Sequence, residues 1–374
     1  MAVTSIGYHN TWIEIDRNAI QKNIFFIKKS LHPTTKILAV LKANAYGLGI
    51  KEVADLMAQN GITWIGVSTV AEAVELRMSF PQSEILILGP SFLSSIETIV
   101  QYELKPAVYS VDYLTLLNQE ALKQNKIIKV HLMVDTGMGR IGIWHDKELS
   151  FFKKILSFKH IELEGVCSHF ADADKDFDFT RLQHRRFLDF VLKLELYGLN
   201  PKVLHICNSS GMLRHKEAHH DLVRIGLLLY GISPIEGQKI NELTPAISLK
   251  TKIAFLKDVE PGRTISYGRK YIAQKHTKIA TLPIGYSHSY NRNLSNKGYV
   301  LIHEKRCPVI GTITMDQMMV DVGHVPDVHI DDEVVIIGQQ GASSITWEEI
   351  SQAVGTVPYE LLCNLSSKCH RIYT

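Results

Sequence analysis

AVLKANAYGLG, residues 39–49, is the stretch from which the fold can be read. A short apolar run, Ile37 to Leu41, delivers Lys42 to what reads as the end of a strand. Ala43, Asn44 and Ala45 leave room beside the lysine, and Tyr46-Gly47 makes a turn before an amphipathic segment that opens near Ile50. Small residues after a buried approach suit a backbone held close to a ligand. The lysine itself reads two ways. It is either a solvated surface amine or an amine in a partly dry pocket, where a weaker preference for charge makes it a carbonyl nucleophile and a proton carrier.

Outward from that stretch, short β-branched runs alternate with helix-period segments. Strands are predicted at Lys36–Leu41, Trp64–Val67, Ile85–Leu88, Ala107–Tyr109, Lys129–Val134, Leu163–Cys167, Val203–Ile206 and Leu222–Ile225. Amphipathic stretches at Ala71–Met78, Tyr113–Gln124, Lys147–Ser157 and Phe179–Tyr197 fall between them, the third burying Phe151, Phe152, Ile155 and Leu156. Eight strand-then-helix units describe a closed parallel (β/α)8 TIM-type barrel. The rival is an open doubly wound sheet, but no GxGxxG follows the first strand.

After Ser233-Pro234 the texture changes. Alternating segments at Ser248–Leu256, Thr277–Leu282, Tyr299–His303, Val309–Thr314, Met318–Val322 and Glu333–Ile337 predict a mainly β domain, with a helix at Trp347–Val354. Asn10–Asp16 reads as an orphan strand and a candidate partner for that later domain. The expected division is a barrel over residues 11–235 and a C-terminal β domain over 236–374 together with residues 1–10.

At 374 residues the length itself favours two domains. A formal charge of +3 with dispersed Lys and Arg points to small-molecule partners, not nucleic acid or an anionic membrane. Five cysteines without a CxxC pair suit reduced thiols. With no signal segment and no run of membrane-spanning length, the expected location is cytoplasmic.

In a barrel of this kind chemistry sits just past the strand ends. There the chain places Lys42 and Tyr46, Asp135 to Arg140, His169, Asn208-Ser209-Ser210, and Arg224-Ile225-Gly226-Leu227. Backbone N–H groups of Gly226 and Leu227, with Ser209 and a tyrosine hydroxyl, suit a phosphate. A nucleophilic lysine beside a phosphate cradle is what pyridoxal 5'-phosphate requires, since an amine holds one end of it and its phosphate the other.

These residues carry a resemblance to a known family. AVLKANAYGLG around Lys42, VDTGMGRIG from Val134, SHFADAD around His169, NSS at Asn208, VRIG at Arg224, ISYG at Tyr267, PIGY at Tyr286, MDQ at Met315 and PYE at Tyr359 occur in order over nearly the whole length. Together they resemble the alanine racemases, pyridoxal-phosphate enzymes with a barrel and a C-terminal β domain. The resemblance implies racemisation of L-alanine and D-alanine, supplying D-alanine for peptidoglycan. Lys42 would hold the cofactor and serve as one base, and Tyr267 as the other, on the opposite face of a planar adduct. A free phenol titrates near ~10, so His169 and Arg224 would assist that tyrosine. Arg224 would also face the pyridine nitrogen, where a donor-only guanidinium makes the ring a weaker electron sink. Tyr46, Ser209, Gly226, Leu227 and Tyr359 would hold the phosphate, and Arg140, Met315 and Tyr286 would meet the substrate. Because Tyr267 and Lys42 lie in different domains, the family pattern implies a head-to-tail homodimer with shared sites.

Alternatives stay open at this level. Serine is a possible substrate, and a decarboxylase relative or a non-catalytic cofactor carrier shares part of the architecture. Arg224 speaks against the decarboxylase, which generally has an acidic residue near the ring nitrogen, and the long β domain speaks against the carrier. One departure is Met133, where family members often carry a carbamylated lysine supporting the arginine of VDTGMGR; Arg140 therefore needs another orienting partner. The tail LSSKCHR is also looser than the family's ending. His215, His219, His220 and Asp221 match no common zinc spacing and read as a solvated loop, and Asp172, Asp174, Asp176 and Asp178 read as a helix entry and gate.

Overall fold

A computed structural model describes residues 10–146 and 149–374. β1 (Thr11–Ile15) opens the chain. The barrel follows as β2 (Lys36–Val40), β3 (Trp64–Val67), β4 (Glu84–Ile87), β5 (Lys105–Val108), β6 (Ile128–Asp135), the two-residue β7 (Ile143–Trp144) beside it, β8 (Ile161–Cys167), β9 (Val203–His205) and β10 (Leu222–Ile225). All eight predicted barrel strands are present, parallel, in the order β10-β2-β3-β4-β5-β6-β8-β9. At the seam between β9 and β10 single backbone bonds replace a ladder. Asp221 N–H donates to Leu204 O at 3.2 Å and Arg224 N–H to Cys207 O at 3.0 Å.

The crossover helices start where the sequence supplies caps. Thr69 and Glu72 form a reciprocal capping box on helix Val70–Ser79. Ser110 caps Val111–Lys123 and Asp176 caps Phe177–Leu196, so the acidic run does enter a helix there. The helix predicted from Lys147 is described over Leu149–Leu156, with Phe152 and Ile155 buried but Leu156 exposed, against expectation; Lys147 and Glu148 lie outside the described residues.

The second sheet is built from β11 (Ile247–Lys252), β12 (Phe255–Val259), β15 (Thr277–Leu282), β16 (Tyr299–Ile302), β17 (Lys305–Ile310), β18 (Met318–Asp321), β19 (Glu333–Gln340) with β20 (Ser343–Ile345), and β21 (His370–Tyr373). A separate hairpin joins β13 (Thr264–Ile265) to β14 (Tyr271–Ile272). β1 belongs to this sheet, antiparallel to β11 and parallel to β21. Residues 1–9, assigned with it from the sequence, lie outside the described residues.

Two strand expectations need correction. Ser248–Leu256 is not one strand: at Ile253 and Ala254 the chain leaves β19 for β15, Ile253 N–H donating to Asp332 O and Ala254 N–H to Thr281 O, both at 3.0 Å. Val309–Thr314 stops at Ile310, because Gly311 takes a left-handed φ of +74° beneath Ile265 O, and the strand extends back to Lys305 instead. The C-terminal segment returns to the barrel: Arg371 donates to the Gly47 carbonyl through Nε at 3.0 Å and Nη2 at 2.7 Å, clamping the turn that follows Lys42.

Candidate active site

Lys42 stands at the end of β2, and the four residues after it do something their types do not advertise. Ala43, Asn44, Ala45 and Tyr46 all take left-handed φ between 53° and 57°, one turn of left-handed helix that costs roughly 1–2 kcal/mol per residue. The turn persists because it is tied on several sides. Ala43 N–H donates to Glu72 Oε1 at 2.6 Å, and Ile50 N–H to Asn44 Oδ1 at 2.8 Å. Gly47 N–H donates to Ala43 O at 2.8 Å. The other Glu72 oxygen accepts from the N–H groups of Ser68 at 3.0 Å and Thr69 at 3.2 Å. Glu72 was not singled out from the sequence; its signal is the Thr69-x-x-Glu72 capping-box spacing.

The twist sets Lys42 and Tyr46 in different surroundings. Lys42 is exposed in the single chain, the solvated of its two readings, while the Tyr46 ring is buried against Tyr230, centroids 5.9 Å apart. Burial holds the Tyr46 hydroxyl well above its ordinary range, with Tyr359, Tyr230 and Cys363 pushing the same way. Tyr359, centroid 6.1 Å from Tyr46, is 38% exposed, yet partial desolvation raises its hydroxyl to about 12, with Asp174 pushing the same way. Both hydroxyls therefore stay protonated near neutral pH and act as donors.

Ser209, Gly226 and Tyr46 meet at one point. Gly226 N–H donates to Ser209 Oγ at 3.2 Å, and a Cβ on Gly226 would lie 2.4 Å from the Tyr46 hydroxyl oxygen. A side chain there would collide with the tyrosine, so glycine permits the close approach. Leu227, next in the chain, is fully buried. Hydroxyl and N–H donors gathered at one point suit a phosphate.

Arg224, in β10, is buried with its guanidinium inside the barrel. Nη1 donates to His205 Nδ1 at 2.8 Å and His205 O at 3.1 Å. Nη2 meets Ser168 O at 2.6 Å, His169 Nδ1 at 2.9 Å and Ile206 O at 3.0 Å. Among the described residues no hydrogen bond engages its Nε–H. A donor-only group with one free N–H fits the ring nitrogen of pyridoxal phosphate. Because arginine cannot accept, His169 Nδ1 must. Burial holds His169 well below the usual imidazole range, and the charges of Arg224, Arg140 and Lys42 push it the same way. The neutral ring therefore carries its proton on Nε2.

The remaining predicted residues form an exposed set. Arg140 is exposed, and among the described residues no carboxylate pairs with it. Met133 is buried with Ala107 and Cys167 beside Tyr109 and Ile141, an apolar cluster in place of a supporting charge. Tyr267, Tyr286 and Met315 are 72%, 43% and 54% exposed. Their backbones are knit together: Thr312 Oγ1 donates to Tyr267 O at 2.8 Å, Tyr286 N–H to Thr314 O at 3.1 Å, and Ser287 N–H to Met315 O at 3.0 Å. Among the described residues, no hydrogen bond or ring contact joins Tyr267 to Lys42, His169 or Arg224. One chain thus presents two half-sites: a barrel mouth and an exposed β-domain cluster.

The histidine-rich loop is a correction. His215 and His219 are buried, not solvated: His215 Nε2 lies 3.2 Å from Ala173 O and His219 Nε2 2.8 Å from Met212 O, while His220 pairs with His184 at 2.9 Å. Carbonyl partners and aromatic neighbours satisfy these rings, which a spacing argument cannot show.

Comparison with known proteins bears on the whole chain. Residues 15–234 match the family described as "Alanine racemase, N-terminal domain" and residues 246–373 "Alanine racemase, C-terminal domain". An alanine racemase of Clostridium tetani is 39% identical over 369 residues, covering 97% of this chain and 95% of the relative. The solved alanine racemase of Clostridium difficile 630 superposes with a TM-score of 0.92 at 33% identity, covering 98% of this chain and 96% of that one. That of Bartonella henselae, solved with covalently bound pyridoxal phosphate, gives 0.89 at 27% identity, covering 98% and 99%. Matched in both halves and over nearly its whole length, the chain belongs to the alanine racemase family.

Proposed function

We propose that the chain interconverts L-alanine and D-alanine with pyridoxal phosphate, Lys42 and the Tyr267 of a second copy acting as bases on opposite sides of the substrate. The reaction class and cofactor are those of the family. When bound, the cofactor supplies the electron sink that acidifies the substrate α-carbon. The observation that supports the reading best is Arg224: a buried, donor-only guanidinium with a spare Nε–H, where transaminating and decarboxylating chemistry favours an acid.

The residues divide the work as follows. Lys42 anchors the cofactor and moves a proton at one face of the α-carbon. Tyr46, Ser209, Gly226, Leu227 and Tyr359 hold the phosphate, the tyrosines as neutral donors. His169 presents Nε2–H towards the opposing phenol oxygen, a contact that favours its ionised form. Arg140, the Met315 backbone N–H and Tyr286 receive the substrate carboxylate.

Completion of the site by a second copy, in a head-to-tail homodimer, is supported by the exposure of Tyr267, Tyr286 and Met315 and by the lack, among the described residues, of any hydrogen bond between Tyr267 and Lys42. We assign the two functional units to residues 11–235 and 236–374, with β1 structurally part of the second sheet. A cytoplasmic enzyme feeding D-alanine to peptidoglycan is the matching role; among the described residues no helix is long and apolar enough to cross a membrane. The test is chiral analysis after incubation with L-alanine and, separately, L-serine. D-Alanine should form faster, and faster D-serine formation would overturn the substrate assignment.

A further inference from the structure

A TIM-type barrel interior is ordinarily filled by branched aliphatic side chains, yet a column of buried polar groups runs through this one. It starts at the N-terminal rim, where Lys105 Nζ, 4.6 Å over the Trp64 ring, meets Glu164 Oε1 and Oε2 at 2.8 and 2.6 Å and Glu84 at 2.6 Å. Lys129 adds a contact to Glu164 at 3.1 Å. Glu164 Oε2 lies 3.1 Å from His131 Nε2, His131 Nδ1 lies 2.8 Å from His205 Nε2, and His205 Nδ1 accepts from Arg224. Both histidines are 0% exposed.

The direction of every link is forced. Arginine only donates, so His205 Nδ1 bears a lone pair and the neutral ring carries its proton on Nε2. That proton goes to His131 Nδ1, leaving His131 Nε2–H for the Glu164 carboxylate. Burial keeps His205 well below the imidazole range, and His131 is lowered as well. For Glu164, burial works upward, but hydrogen bonds from His131 and Lys105 bring the carboxyl down to about 2. The backbone makes room for this: β6 and β8 shift register between Val130 and His131, and His131 faces Gly165, where a Cβ would lie 2.6 Å from its Nδ1.

Arg224 is a buried cation whose direct partners are carbonyls and imidazoles, with no carboxylate among the described residues touching it. We propose that His205, His131, Glu164 and Lys105 are positioning residues for the reaction: a one-way hydrogen-bond relay linking the Arg224 charge to a carboxylate two imidazoles away and clamping its fork so that Nε–H alone is offered to the cofactor ring. This rests on the reading that Arg224 faces the ring nitrogen. A fully satisfied column holds one geometry, whereas a broken one leaves a buried N–H without a partner.

Histidine-labelled full-length protein, with and without cofactor, tests the direction by 15N NMR. Both rings should show Nε2–H and bare Nδ1 from mildly acidic to mildly alkaline pH; either ring as Nδ1–H, or doubly protonated, overturns the relay. Side-product partition, pyruvate released per racemisation, tests its purpose. His131→Leu removes the acceptor for His205 and should raise the pyruvate fraction about tenfold, the scale set by one unmade buried hydrogen bond. His131→Gln keeps one acceptor and one donor and should stay near wild type. A merely structural column predicts lower thermal stability with unchanged partition in both variants, and that result overturns the proposal. Arg224→Glu separates the premise: unchanged partition there means the arginine does not face the ring, while the NMR tautomers still report the relay independently.

Discussion

Removing the Glu72 carboxylate should weaken cofactor binding without touching any residue that meets the cofactor. Glu72 bridges the strained left-handed turn after Lys42 and the capped start of helix Val70–Ser79, accepting from Ala43 N–H at 2.6 Å with one oxygen and from Ser68 and Thr69 N–H with the other. Four left-handed residues cost roughly 4–8 kcal/mol in total, so the turn depends on its tethers. A hydrogen bond to a charged group contributes about 1.5–3 kcal/mol. If Glu72→Ala releases that amount from the turn, the competent conformation is populated less and pyridoxal phosphate should bind about 10- to 100-fold more weakly. Glu72→Gln offers one acceptor oxygen where two are needed and should fall between. The assay is titration of cofactor-free protein with pyridoxal phosphate, followed by the visible absorbance of the bound form. Wild-type affinity in Glu72→Ala would refute the argument that the turn depends on this tether.

Tyr267→Ala should collapse racemisation while exchange of the α-proton with solvent persists for one enantiomer, read by deuterium incorporation; equal loss for both would count against two bases. Gly226→Ala places a methyl 2.4 Å from the Tyr46 hydroxyl and should raise the phosphate requirement for cofactor retention, with unchanged retention on dialysis as the contrary result. His131, His169 and His205 are held neutral mainly by burial. Their pKa values are depressed by folding, so below about pH 6.5 the unfolded chain binds protons that the folded chain refuses, at up to about 1.4 kcal/mol per proton per pH unit. Stability of the cofactor-free protein should therefore be full above that pH and fall between about pH 6.5 and about pH 5; a flat thermal midpoint would contradict it.

The barrel was legible because each strand is a short β-branched run with a helix-period segment behind it, a signal local to a few residues. β1 was legible as an extended segment, but its place between β11 and β21 depends on partners more than two hundred residues away. The left-handed turn was not legible: Ala43, Ala45 and Tyr46 carry no mark of it, and one of its tethers is the Glu72 carboxylate, distant in the chain. His131 and His205 hid for a related reason, since a histidine in a short strand reads as incidental when its partners lie on other strands. Only stacking β6, β8, β9 and β10 around one axis lines them up with Arg224 and Glu164. The exposure of Lys42 stayed open, because a short apolar run ahead of a lysine fits a strand end in solvent as well as a dry pocket.

Mixing two inactive variants tests the shared site most directly. Lys42→Ala and Tyr267→Ala subunits, each inactive alone, are dissociated together and reassociated. If Tyr267 of one copy serves Lys42 of the other, a mixed dimer contains one intact site, and equal mixing should restore about a quarter of wild-type racemisation. No recovery, in a sample shown by mass to contain the mixed dimer, would contradict the account.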